Sequence, residues 1–192
     1  MRVISGKFKG RQLVSFEADH IRPTTDRVKE TLFNKLMWNI EGAKVLDLFS
    51  GTGNLAIECI SRGAEWVDMV ESHPKSLEII KENLKLLKIN DGFNIHKEDA
   101  FKYIQNYSGP GYNVVLADPP FTKALGHDLA MAIGQSKLLA NEAILVIEAS
   151  SKERMDKEYF GLIRLDQRQF GDKYLHFLQR DNDDKGNLSR QF

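Results

Sequence analysis

The chain has 192 residues, 42% of them hydrophobic, with 27 Lys/Arg against 27 Asp/Glu and a single cysteine. That is enough to bury one substantial core but short for two independent domains, and no apolar run approaches the roughly 20 residues that span a bilayer. The opening Met1-Arg2-Val3-Ile4-Ser5 lacks the apolar stretch of a signal peptide, so the chain reads as cytoplasmic, and the lone Cys59 excludes an internal disulfide and reads as a core residue.

Positive charge gathers at one end: between residues 1 and 29, seven Lys/Arg stand against three Asp/Glu. There Val3-Ile4 and Leu13-Val14 flank a basic turn, Lys7-Phe8-Lys9, set between Gly6 and Gly10, which predicts a small two-stranded appendage over residues 1–20. Thr24 and Thr25 precede Val28, Leu32 and Leu36 at four-residue spacing, predicting a threonine-capped amphipathic helix.

From residue 44 a strand–helix rhythm sets in. Strands are predicted at Lys44–Phe49, Trp66–Glu71, Phe93–Lys97, Tyr112–Ala117 and Ala143–Glu148, with helices running to Arg62, from Pro74 to near Lys88, from Phe101, and around Leu125–Ser136. Such alternation predicts an α/β fold with a mostly parallel sheet covered on both faces. A polar helix over Ser151–Tyr159 and an antiparallel hairpin, Leu162–Gln169 against Tyr174–Gln179, are expected to close the domain over residues 21–180. Residues 181–192 have too little apolar content to pack and read as a disordered tail.

Three acids punctuate the strand ends. Asp47 precedes a turn with Phe49, Gly51 and Gly53, whose missing Cβ atoms let backbone approach a ligand at a helix N-terminus. The third glycine of a dinucleotide fingerprint is absent, Ala56 taking its place, and a carboxylate at Asp47 would repel a pyrophosphate while suiting an ammonium and a sulfonium. That favours S-adenosylmethionine over a dinucleotide. Glu71 lies roughly 20 residues further on, where an acid accepts from both ribose hydroxyls of an adenosine. Asp99, with the backbone N–H of Ala100, is placed to read an adenine edge. The five histidines include no i, i+4 pair and no cysteine cluster, so no metal site is expected.

Asp118-Pro119-Pro120-Phe121 follows the fourth strand directly. The prolines stiffen the segment and donate no N–H, so Asp118 and the Pro119 carbonyl can take both hydrogens of a planar exocyclic amine while Phe121 stacks on its base. At the topological switch point of a doubly wound sheet this bracket would face the glycine turn.

Asp-Pro-Pro-Phe is the motif of amino-methyltransferases acting on nucleobases, and the chain resembles the RsmD-type family of bacterial 16S ribosomal RNA (guanine-N2)-methyltransferases. The resemblance rests also on Arg2 to Arg11, on Arg22-Pro23-Thr24-Thr25-Asp26-Arg27 and the residues to Asn34, on Asp47 to Gly53, on Ser61-Arg62-Gly63-Ala64, on Glu71 and Asp99, and on Gly171 before the last strand. It implies a Rossmann-like class I fold with a seven-stranded sheet whose last strand is antiparallel. It also implies conversion of S-adenosylmethionine to S-adenosylhomocysteine, a guanine N2 acceptor in 16S RNA or the small ribosomal particle, and a monomer. Thr25 and Arg27 would then sit near the cofactor carboxylate, and Lys7, Lys9, Arg11 and Arg22 would hold RNA phosphates. Asn54 and Ser72-His73 depart from the family pattern. Three other readings stay in view: a glutamine methyltransferase, which carries Asn in place of Asp118; an N6-adenine methyltransferase acting on RNA or DNA, whose DNA-directed forms need an added recognition domain; and a non-catalytic RNA-binding protein on a methyltransferase scaffold.

Overall fold

The computed structural model describes residues 1–15 and 25–180. Arg22, Thr24, residues 16–20 of the expected appendage and the expected tail over 181–192 lie outside the described residues.

Thr25 caps α1 (Asp26–Lys35), its Oγ1 accepting the Val28 N–H at 3.4 Å, and the helix buries Leu32 and Phe33. Five strands then alternate with four helices: β1 (Lys44–Leu48), α2 (Asn54–Ser61), β2 (Trp66–Glu71), α3 (Pro74–Leu86), β3 (Phe93–Lys97), α4 (Ala100–Asn106), β4 (Tyr112–Ala117), α5 (Gly126–Gln135) and β5 (Leu139–Ser150). Strands β6 (Glu158–Tyr159), β7 (Leu162–Phe170) and β8 (Lys173–Arg180) complete one sheet in the order β3-β2-β1-β4-β5-β8-β7-β6. Strands β1 to β5 are parallel, and β8 runs antiparallel between β5 and β7. The order reverses between β1 and β4, which opens a crevice at their carboxyl ends.

The strands are apolar on both sides because both faces are covered. One core layer joins Val45, Val114, Leu116, Val146 and Leu175 to α1, α2 and α3. The other joins Leu46, Leu48, Val115, Ala117 and Ile147 to α4 and α5. No helix among the described residues is long and apolar enough to cross a membrane.

Two segments differ from expectation. The stretch expected as a polar helix, Ser151–Tyr159, is a turn ending in the two-residue β6, giving an eighth strand at the sheet edge. Met155 and Tyr159 are its only large apolar residues, too few for a helical stripe, and its backbone is engaged elsewhere. The Ser151 N–H donates to the Asp172 carbonyl at 2.8 Å, and the Asp156 N–H to the Tyr159 hydroxyl at 2.6 Å.

The N-terminal basic turn makes one antiparallel bridge, Arg2 with Gln12, and the Val3, Gly10 and Leu13 N–H groups donate across it to the Arg11, Val3 and Met1 carbonyls, each at 2.9 Å. It is docked on α2 rather than free: Ile4 and Ser5 donate to the Glu58 carboxylate at 2.8 and 3.0 Å, Lys7 to the Ser61 carbonyl at 2.7 Å, and Phe8 to the Ser61 hydroxyl at 2.9 Å. Val3 and Leu13 are buried in the same core layer as α2, each worth about 1.5–3 kcal/mol of apolar burial. A Cβ on Gly6 would lie 1.8 Å from the Ser61 carbonyl oxygen, so only glycine permits this approach.

Candidate active site

The carboxyl ends of β1 and β4 open onto a cavity of about 650 Å³, within the range of small-molecule sites. It begins at the turn after β1. Phe49 takes a left-handed φ of 61°, the Ser50 hydroxyl donates to the Asp47 carbonyl at 2.7 Å, and the Gly53 N–H closes the turn on the Ser50 carbonyl at 2.7 Å. Gly53, at φ 76°, is the N-cap of α2 and needs glycine's freedom there. The Asp47 side chain is buried and accepts the Ala56 N–H of α2 at 3.1 Å through Oδ2. Glu71, at the end of β2, ties the turn down, Oε2 accepting from Gly51 and Oε1 from His73, both at 2.8 Å.

Burial pushes the Asp47 carboxyl up from its ordinary 3.8 to about 8; the charges of Asp118 and Glu71 add to the rise, and the Ala56 N–H and Ser50 hydroxyl oppose it. Asp99 caps α4, its Oδ1 accepting from Phe101 and Lys102 at 3.0 and 3.1 Å. The acids of the first, second, third and fourth strand ends, Asp47, Glu71, Asp99 and Asp118, all line this one cavity.

The bracket forms its opposite wall. Pro119 is buried, the Pro120 carbonyl accepts the Lys123 N–H at 3.0 Å, and Phe121, 38% exposed, opens a short 3-10 turn. Phe49, Gly51, Asp118, Pro119, Pro120 and Phe121 are therefore brought together with three of the strand-end acids, as the doubly wound topology requires.

Other expected residues stand apart. Gly53 and Ala100 are buried behind the cavity wall, Ala100 as the first residue of α4. Thr25 and Arg27 are exposed at the start of α1 and do not line the cavity. Lys7, Lys9 and Arg11 are exposed on the N-terminal loop, whose tip is fastened to Ser61 at the far end of α2, roughly 10 Å of helix from the cavity mouth. Arg22 lies outside the described residues.

Sequence reasoning missed several contributors. Met1, Ser50, Thr52, Asn54, Lys123 and Lys173 line the cavity too, Lys173 from a strand more than fifty residues beyond the bracket. The Asn54 side-chain oxygen accepts from the ammonium of the fully buried Lys29 at 2.9 Å, and the same ammonium donates to the Arg2 carbonyl at 2.7 Å and lies 3.2 Å from Glu58. Burial lowers the Lys29 pKa against the pull of Glu58. A lysine at that place in an amphipathic pattern reads as solvent-facing, and only the fold reveals its partners. Among the described residues no group of His, Cys, Asp and Glu could hold a metal ion.

Known proteins share this fold. The family described as conserved hypothetical protein 95 matches residues 1–179. The ribosomal RNA small subunit methyltransferase D of Escherichia coli strain K12 is 34% identical over 149 residues, covering 78% of this chain and 74% of the relative. Its namesake in Haemophilus influenzae is 36% identical over 152 residues, covering 77% of this chain and 78% of the relative. The solved yhhF chain of Escherichia coli superposes with a TM-score of 0.84 at 28% identity, covering 94% of this chain and 98% of that one. With strand-end acids, proline bracket and near full-length matches in agreement, the chain belongs to the conserved hypothetical protein 95 family, that of the small-subunit ribosomal RNA methyltransferases D.

Proposed function

We propose that the chain transfers a methyl group from S-adenosylmethionine to the exocyclic N2 amine of a guanine in small-subunit ribosomal RNA. The observation that carries this reading is the shared cavity: the Asp118–Phe121 bracket on one wall, the glycine turn and acids on the other. A buried carboxyl held up to about 8 beside two further acids is poorly compensated and fits a cationic ligand. The cofactor, when bound, supplies an electrophilic methyl on sulfonium.

The chain's residues do the rest. Asp47 faces the ammonium end, Glu71 accepts from the ribose diol, and Asp99 meets the adenine. Asp118 and the Pro119 carbonyl each accept one hydrogen of the acceptor amine, fixing its plane so that the nitrogen lone pair points at the methyl carbon. The bound cofactor would give its methyl to that nitrogen and keep the electrons of the broken C–S bond on sulfur. The nitrogen turns cationic, and the Asp118 carboxylate stabilises that charge before its proton passes to solvent. Phe121 holds the base, which must be unpaired or flipped, because the bracket cannot reach an amine inside a helix.

The test is to incubate the protein with S-adenosylmethionine and either small-subunit particles or their naked RNA, then identify methylated nucleosides by mass spectrometry. N2-methylguanosine is expected. N6-methyladenosine would transfer the chain to the adenine-directed reading, and no methylated nucleoside from either substrate would overturn ribosomal RNA as the acceptor.

A further inference from the structure

We infer that Glu148 and Lys173 read the acceptor base, selecting guanine over adenine by the groups beside its amine. This rests on the guanine reading above and extends it to residues with no role so far.

The placement follows from the sheet. Strands β4, β5 and β8 are neighbours in that order. Ala117 pairs with Ile147, so the next residues, Asp118 and Glu148, leave adjacent strands side by side, while Glu148 pairs with Leu175 two residues from Lys173. Leu116, Val146 and Leu175 belong to one core layer, and each of the three polar residues lies two positions from one of them, so all three fall on the same face. Lys173 donates to Glu148 through a mostly buried ion pair, with side-chain exposures of 13% and 7%. Its ammonium is 5.6 Å from the centre of the Phe121 ring, and it lines the cavity with Asp118. Glu148 borders one small crevice with Asp118 and another with Pro119, Pro120 and Phe121.

A buried ion pair contributes little net stability, because desolvation offsets its attraction. As a reader of bases it has a clear use. With its N2 amine in the bracket, guanine presents a donor, a donor and an acceptor in turn: N2–H, N1–H and O6. Asp118, Glu148 and Lys173 present an acceptor, an acceptor and a donor in the order of their strands. The Lys173 ammonium has three hydrogens and can keep Glu148 while donating to O6. Adenine with its N6 amine in the bracket would set the N1 lone pair against the Glu148 carboxylate, leaving two acceptors face to face.

Full-length wild type, Glu148→Gln, Lys173→Met and Lys173→Arg separate the possibilities. The readouts are kcat/KM on the small-subunit substrate, the Kd for S-adenosylhomocysteine, the thermal midpoint and the methylated nucleosides. Lys173→Met is expected to lower kcat/KM at least tenfold with cofactor affinity within twofold, and Lys173→Arg to restore most of it. Glu148→Gln, whose amide can donate to N1, is expected to raise the ratio of N6-methyladenosine to N2-methylguanosine at least tenfold. The inference is overturned if Lys173→Met and Glu148→Gln both stay within twofold of wild type with an unchanged product ratio, or if cofactor affinity falls in step with turnover. Wild type making N6-methyladenosine would instead remove the guanine reading itself.

Discussion

Asp118 and Glu71 border the same space, and on the proposed reading they meet different molecules, so their substitutions should part accordingly. Asp118→Ala is expected to cut kcat/KM at least a hundredfold while the Kd for S-adenosylhomocysteine stays within twofold. Glu71→Ala, which loses the ribose contacts and frees the Gly51 and His73 N–H groups, should raise that Kd about tenfold or more. Calorimetric titration of both variants checks the division; the opposite pattern would reverse the roles. Asp47 brings a pH dependence whose sign can be worked out. Its folded pKa of about 8 lies above the ordinary 3.8, so between those values the folded, ligand-free protein holds a proton that the unfolded chain has released. Stability of the ligand-free protein therefore falls as pH rises toward 8. A cationic ligand needs the carboxylate, so binding expels that proton, and affinity should rise by up to tenfold per pH unit between pH 6 and 8, then level off. S-adenosylhomocysteine, whose amine stays protonated over this window, is the probe, and Asp47→Asn should flatten the slope. A pH-independent Kd for the wild type would show that Asp47 is already ionised in the empty site.

At the scale of elements, the N-terminal loop and α2 act together. Glu58 and Ser61 satisfy the loop's backbone, and Lys29 binds the loop, α1 and α2 at one ammonium. The loop can thus hold Lys7, Lys9 and Arg11 at a fixed distance from the cavity without their taking part in its chemistry. Replacing all three by Gln should weaken RNA binding and lower the slope of log K against log salt by roughly 2, since each phosphate neutralised on single-stranded RNA adds about 0.7 to it, with cofactor affinity unchanged. An unchanged slope would leave these side chains a solubilising role only. The periodic βα units were legible because each strand is a short apolar run and each helix carries its own cap or opening proline, all local signals. The loop was legible only in part. Gly6 and Gly10 announce a turn, but Glu58 and Ser61 lie some fifty residues away, so the sequence reads as a free hairpin where the fold docks it on α2. The Ser151–Tyr159 turn was misread for the same reason, its backbone partner being Asp172 across the sheet.

For the whole molecule, the acidic half of the cavity could be read in advance because Asp47, Glu71 and Asp99 recur at the ends of successive parallel strands, a regularity the chain carries in order. Glu148 and Lys173 could not, since their approach depends on β8 entering the sheet between β5 and β7, against the order of synthesis. That insertion has a temporal consequence. As the chain leaves the ribosome, β1 to β5 and their helices can assemble the glycine turn, the acids and the proline bracket, but β5 keeps an unpaired edge along Ile144–Ser150 until β8 has emerged. A nascent chain halted before Lys173 therefore has every strand-end acid of the cavity but exposes an apolar strand edge open to a foreign partner. The same strand that adds Lys173 to the cavity closes that edge, so protection from misassembly and completion of the cavity wall come from one event.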